Sequence, residues 1–294
     1  MKPITLILFL GVLLAFFPAC QEVVPVEVAP SAPQLVIEAF VNNRDTVQTI
    51  RLTQTVAYFQ NGQAPIVIGA TVRLKNQSTG REFTFSDTQV NGIYAWIPTG
   101  ADSIGRVGDA FLLSVQHQDD VYQAGSRLNP TVQIDSIGVE KRAGAATGDK
   151  AGYYAQFYAK DLPGQPDYYW IKSYRNGRLQ NQLLSYATNA LSGNDNENGS
   201  DGLTFTSSVR ESITDDEEPF QMGDRVRVEV WSITGETLDF FTQAQAQISN
   251  EGLFARPPEN VKTNFVNTTN ASRKAVGWFC TSTVSRLETV VEGD

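Results

Sequence analysis

From Gln34 onward, apolar and polar residues alternate with a period of two, and that pattern restricts the chain to strands over most of its length. In TIRLTQT, Ile50 and Leu52 alternate with Arg51 and Thr53. ATVRLKN sends Val72 and Leu74 one way, Arg73 and Lys75 the other, and REFTFSD does the same with Phe83 and Phe85. AFLLSVQH sets Phe111, Leu113 and Val115 on one face. Successive strand side chains point to opposite faces, so each segment has one face to bury. Turn signals fall between them at Asn61-Gly62, Thr79-Gly80 and Asn91-Gly92, and Asn-Gly accepts the positive φ of tight hairpins. This spacing predicts an N-terminal β-sandwich of about seven strands ending near Ala124.

The second half is β-rich as well. Val132 to Val139, GYYAQFYAKD and DYYWIKSYRNGRLQNQLLSY read as strands, the last with a hairpin at Asn176-Gly177. DRVRVEVWSI aligns Val226, Val228 and Val230 on one face and Trp231 and Ile233 on the other, which implies cover on both sides at its end. TLDFFTQAQAQISNEG predicts a helix. Thr237 is its expected cap, Leu238, Phe241, Gln245 and Ile248 share its apolar face, and Asn250 to Gly252 end it. The fold class is therefore mainly β. An Ig-like or transthyretin-like sandwich is expected over residues 34–128, and a second β-rich domain with one or two helices over 129–294. Pro130 marks the boundary between them, and the Gly/Ala-rich stretch 143–148 marks a loop.

Ahead of the first strand lies a different kind of segment. Lys2 precedes an apolar run from Ile4 to Phe17, then Ala19 and Cys20. A short basic start, an apolar middle and a small residue before the cut make residues 1–19 a signal peptide. Cys20 then becomes the acylated first residue of a lipoprotein, with several acyl chains as a lasting anchor. The run falls short of the ~20 residues of a membrane-spanning helix. Residues 20–33, with Pro25, Pro30 and Pro33, form an extended tether.

Charge and residue counts exclude several classes. The formal net charge is −9 without basic clusters, so phosphate contacts are lacking and no nucleic-acid partner is expected. The same charge repels anionic headgroups, which leaves membrane attachment to the lipid. His117 is the single histidine, so no multi-histidine zinc site can form and any Ser or Cys triad must use it. It reads as a surface residue near a strand end. Cys280 reads as a buried strand hydrophobe, and with Cys20 acylated it has no disulfide partner.

Three stretches carry candidate chemistry. In GNDNENGSDG, Asn194, Asn196 and Asn198 followed by Gly199 match the start of a calcium loop, with Asp201 as a further oxygen. Calcium is the only cofactor the residues suggest, although Phe205 stands at the twelfth position where an EF-hand needs Glu. TDDEEP packs four carboxylates. A pair such as Asp215 and Glu218 could hydrolyse a glycoside only if held ~5–9.5 Å apart across a cleft. Neighbouring carboxylates point different ways and read as a solvated loop. Aromatics crowd the start of the second half, and Tyr154, Tyr158, Tyr169 and Trp170 are a candidate binding face for a glycan or peptide. The same rings also suit a β core. No Walker loop, dinucleotide fingerprint, GxSxG elbow or Cys-x-x-Cys occurs, so catalysis has no visible seat and a non-enzyme is expected.

The order of features also resembles a known family. The lipid-type Cys20, then LVIEAFV, the GATV strand, NGIYAW, IDSIGVE and the closing LFARPPENV with VGWF are similar to the Bacteroidota lipoprotein family called domain of unknown function four-two-four-nine. The resemblance covers nearly the whole chain after the signal. It implies an outer-membrane lipoprotein acting beside a TonB-dependent transporter, and it assigns no catalytic residue; only Cys20 carries over as a functional position. The expected function is thus a lipid-anchored accessory or binding component of an outer-membrane transporter. The alternatives are a stand-alone glycan- or peptide-binding module and a hydrolase using carboxylates such as Asp215 and Glu218.

Overall fold

The structure is a computed structural model that describes residues 32–56, 62–144, 150–164, 167–180, 202–249 and 261–293, and the backbone alone of 185–188. The expected signal segment, Cys20, most of the expected tether, Asn61 and the loop carrying Asn194, Asn196, Asn198 and Asp201 lie outside those residues.

The alternating segments become strands with their apolar rows inward. β1 (Leu35–Asn42) buries Leu35, Ile37, Ala39 and Val41, and β2 (Gln48–Gln54) buries Ile50 and Leu52. β3 (Thr71–Asn76), β4 (Glu82–Phe85), β5 (Ile93–Trp96), β6 (Ala110–His117) and β7 (Asp120–Arg127) follow. They contribute Val72, Leu74, Phe83, Phe85, Tyr94, Phe111, Leu113 and Val115 to the same core. Strands β1, β2 and β5 lie in one sheet, and β7, β6, β3 and β4 in the other. Gly80 and Gly92 take φ of +79° and +77° at the turns where the sequence places them.

The second sandwich has its own core. β8 (Ile134–Arg142) and β9 (Gly152–Ala159) form one sheet. β10 (Tyr168–Arg175), β11 (Arg178–Leu179), β12 (Ser185–Thr188) and β13 (Arg225–Ile233) build the other. Asn176 and Gly177 both take positive φ at the β10–β11 hairpin, the type I′ geometry that Asn-Gly favours. Tyr169, Ile171, Val226, Val228 and Val230 meet Ala155, Phe157 and Ala159 between the sheets. α1 (Ser207–Glu211) lies near β9, and α2 (Gly235–Ile248) follows β13 directly. α2 is capped by Thr234, whose Oγ1 accepts the Thr237 N–H at 3.1 Å. Thr237, the expected cap, is instead inside the first turn and buried. Ile248 is exposed rather than part of the packed face.

The C-terminal segment ties the two halves together. β14 (Val266–Asn267) pairs with β7, and the whole of β15 (Val276–Ser282) pairs in parallel with β1, from Val36 opposite Val276 to Asn42 opposite Ser282. Phe265, Ala275 and Phe279 complete the first core. After the single residue Thr283, β16 (Val284–Val290) pairs with β13 in the second sandwich. At the crossing, Thr283 and Ser232 exchange backbone and side-chain hydrogen bonds, and the Ser232 hydroxyl donates to the Asn129 carbonyl at 2.8 Å. A linear division at 128/129 marks where the chain leaves the first core, but residues 265–282 return to it.

Candidate functional site

The register of β10 against β13 builds an unusual outer face. Trp170 stands opposite Trp231, Lys172 opposite Glu229 and Tyr174 opposite Arg227. On the far side of β13, Arg286 faces Glu229 and Glu288 faces Arg227. Aromatic and charged residues thus share this face across three strands, while Tyr169, Ile171, Val226, Val228 and Val230 turn into the core on the other. This follows from strand alternation: Trp170, Lys172 and Tyr174 are spaced by two, as are Arg227, Glu229 and Trp231.

The charges on this face are held, not loose. Glu229 is 8% exposed. Its Oε2 accepts the Trp231 Nε1–H at 3.0 Å and the Tyr174 hydroxyl at 3.3 Å, and its Oε1 faces Arg227 Nε at 3.4 Å. The Arg227 guanidinium stacks 3.8 Å from the Tyr174 ring centre. Lys172 Nζ sits between two indoles, 3.6 Å from the centre of Trp170 and 3.5 Å from that of Trp231. Burial pushes the Lys172 amine down to about 7, with Glu229 and then Cys280 pulling it back up. The two indole faces add attraction for its charged form. Burial, reinforced by the Glu229 charge, pushes the Tyr174 hydroxyl up to about 12.

α2 closes one end of this face. Phe241 packs on Trp170 at 4.9 Å and on Phe40 of β1 at 5.5 Å between ring centres. Phe240 stacks on Trp278 of β15, 5.0 Å apart at 21°, and the Trp278 Nε1–H donates to the buried Thr237 hydroxyl at 2.9 Å. Cys280 is fully buried in the same cluster, as a small strand hydrophobe. On its solvent side, α2 borders a cleft of about 420 Å³ lined by Glu236, Asp239, Phe240, Gln243, Lys262 and Trp278. An aromatic floor with carboxylate, amide and ammonium groups around it can stack on an apolar face and hydrogen-bond a polar rim.

The four rings singled out in the sequence are not brought to one surface. Tyr169 is fully buried, and its hydroxyl donates to Asp161 Oδ1 at 2.8 Å, behind a hollow of about 350 Å³ that includes Asp135, Lys160 and Asp161. Burial and Asp161 together raise the Tyr169 hydroxyl above its ordinary range. Tyr154 is buried on the opposite side of β9, under the Arg142 guanidinium at 4.5 Å, with its hydroxyl donating to the Lys150 carbonyl at 2.8 Å. Tyr158 is half-buried beside it, with Arg210 4.7 Å from the ring centre. Trp170 alone of the four belongs to the face under α2. Asp215 and Glu218 sit in one hydrogen-bonded turn, the Glu218 N–H donating to the Asp215 carbonyl, and neighbouring Glu217 pairs with Lys150. His117 ends β6, half-buried. Among the described residues no three His, Cys, Asp or Glu side chains come together as metal ligands. Lys172 and Glu229 went unnoticed in the sequence, because their partnership depends on a strand pairing across more than fifty residues.

Residues 21–288 match the family described as Domain of unknown function (DUF4249). The chain belongs to that family. The strands, helices and charged aromatic face described above therefore fall almost wholly within the DUF4249 region. No curated protein matches the chain. Among solved structures, the crystal structure of bovine butyrophilin matches over 68% of this chain and 92% of its own, at 10% identity. The TM-score is 0.20, a superposition too poor to carry an argument about fold or function.

Proposed function

We propose that this DUF4249 protein is a lipid-anchored component of the cell envelope that acts by recognition, as an accessory partner of an outer-membrane transporter. The observation that carries the reading is the context of Cys20: a basic start, an apolar run, a small residue, the cysteine, and then a proline-spaced tether leading to the first strand. Tethering raises the effective concentration of the body near any partner in the same membrane. Recognition is supported by the aromatic cleft beside α2, which offers Phe240 and Trp278 with polar groups around them as contacts.

The test is purification of the intact protein from detergent-solubilised membranes, with mass spectrometry of its N-terminus. A diacylglyceryl group on Cys20 and a co-purifying β-barrel are expected. An unmodified thiol, or a mature chain starting elsewhere, overturns the anchor. A lipidated protein that comes out alone overturns the accessory role. The α2 cleft favours a second reading, a stand-alone glycan- or peptide-binding module. Ligand binding by a soluble form truncated after Cys20, lost on Phe240→Ala, would select it.

A further inference from the structure

The end of the first sandwich where the chain enters carries a cluster of exposed aliphatic side chains. Gln34 and Thr55 hydrogen-bond to each other at this entrance, through backbone and the Thr55 hydroxyl. One residue on, Val56 is exposed. Beside it along β2, Thr53 bridges to Ile66, and Arg51 pairs with Ile93. Residues opposite positions i and i+2 of one strand share a face, so Ile66 and Ile93 are neighbours on the outer side of the sheet. A β-carbon on Gly92 would lie 3.1 Å from that of Ile66, which fixes the two loops side by side. Ile68 lies two residues after Ile66 and Val90 two residues before Gly92, and the five side chains are between 39% and 59% exposed.

Val90 sits in a strained turn and is 59% exposed. Its φ is +54°, a conformation a β-branched residue rarely adopts. The Asp87 carboxylate accepts the N–H groups of Asn91 and Gly92 at 3.1 and 2.8 Å, which fixes the turn and spends that charge on the loop's own backbone. Such strain persists only where the surrounding structure imposes it. None of the five side chains is polar, whereas the chain as a whole carries −9.

We infer that this cluster of Val56, Ile66, Ile68, Val90 and Ile93 rests in the headgroup–acyl boundary of the bilayer, so that the first sandwich lies down on the membrane instead of floating above it. The inference rests on the lipid anchor proposed at Cys20. Only 13 residues separate Cys20 from Gln34. At ~3.1 Å per residue for a proline-rich extended chain, they reach at most about 40 Å. The first described strand begins beside Val56, at the edge of the aliphatic cluster, so the anchor keeps this cluster within reach of the bilayer. A few aliphatic side chains do not hold a protein on lipid unaided, but they serve as the second signal once acyl chains supply the first. An acidic protein gains nothing from anionic headgroups, so the contact is apolar and zwitterionic lipid suffices.

The experiment uses the mature chain purified from membranes and mixed with phosphatidylcholine vesicles. A polarity-sensitive fluorophore is placed by Ile66→Cys and, as a control, by Ile97→Cys; Ile97 is exposed beyond the far end of β5. Cys280 is fully buried and takes no label in the folded state. Doxyl-labelled lipids should quench residue 66 at least about twofold more than residue 97, and Ile68→Ser with Ile93→Ser should remove that difference without unfolding the chain. Equal quenching at both positions overturns the inference. So does a blue-shifted residue 66 that lipid does not quench but a second labelled copy does, since the cluster would then be a self-association surface. Flotation with the vesicles reports the anchor independently: protein that fails to float refutes the Cys20 reading, and protein that floats without quenching refutes the lipid contact alone.

Discussion

A β-carbon placed on Gly277 would stand 2.1 Å from the carbonyl oxygen of Ile37. The two residues face each other in the parallel pairing of β15 with β1, and Gly277 takes φ of +103°, which favours glycine. This close approach lets the C-terminal strand lie against the first strand of the fold. Gly277→Ala should therefore cost about 2–4 kcal/mol, because backbone on one strand must move away from backbone on the other. Urea unfolding checks it; a loss under about 0.5 kcal/mol would mean that β15 does not dock as described.

The same strand makes the two sandwiches interdependent. A chain ending at residue 260 loses Phe265, Ala275 and Phe279 from the first core and β16 from the second sheet. Neither sandwich should then melt cooperatively in circular dichroism. Retention of a sharp transition would show that one of the cores is self-sufficient.

Much of this was legible in local pattern, and the remainder was not, for a physical reason. The rows Ile50–Leu52, Val72–Leu74 and Val226–Val228–Val230 are buried as their alternation requires, because a strand has only two faces. Asn176-Gly177 turns as its residues require. Pairing between distant segments leaves no such trace. Nothing in VGWFCTS announces that it will lie parallel to LVIEAFVN, or that Lys172 will meet Glu229. The aromatic cluster failed as a single surface because ring content does not say which face each ring takes: Tyr169 and Trp170 are adjacent and point to opposite sides of one sheet.

The helix cap is a smaller case of the same ambiguity, since Thr234 and Thr237 stand three residues apart ahead of the apolar run and both carry a capping hydroxyl. Thr234 accepts the Thr237 N–H, so Thr234→Ala should cost about 1 kcal/mol. Thr237→Ser keeps the hydroxyl that receives the Trp278 Nε1–H and should be the milder change. A Thr234→Ala variant that melts with the wild type would show that Thr234 is not the cap.

Lys172 gives the fold a pH dependence of definite sign. Its amine titrates near 7 when folded, against 10.5 ordinarily. Between those values the unfolded chain binds a proton that the folded chain does not, so stability rises with pH. The destabilisation is full below pH 7 and gone above 10.5. Cys280 acts in the opposite direction: its thiol is held above the ordinary 9.0, which lowers stability as pH climbs past that value. The clean window is therefore about pH 7 to 8.5. The urea midpoint should rise across it in the wild type and stay flat in Lys172→Met; an equal rise in both would locate the effect elsewhere.

Tyr169 and Phe240 separate a structural ring from one at a surface. The Tyr169 hydroxyl is buried against Asp161, so Tyr169→Phe removes a charge-assisted hydrogen bond and should cost about 1.5–3 kcal/mol. It should leave any ligand affinity of the α2 cleft unchanged, since Tyr169 points into the opposite core. Phe240 lines that cleft and stacks on Trp278, so Phe240→Ala should weaken binding by at least about tenfold while leaving the strands intact. Calorimetry of both variants with the same ligand decides between the two roles. Weakened binding in Tyr169→Phe together with unchanged binding in Phe240→Ala would move the recognition surface from α2 to the hollow beside Asp161.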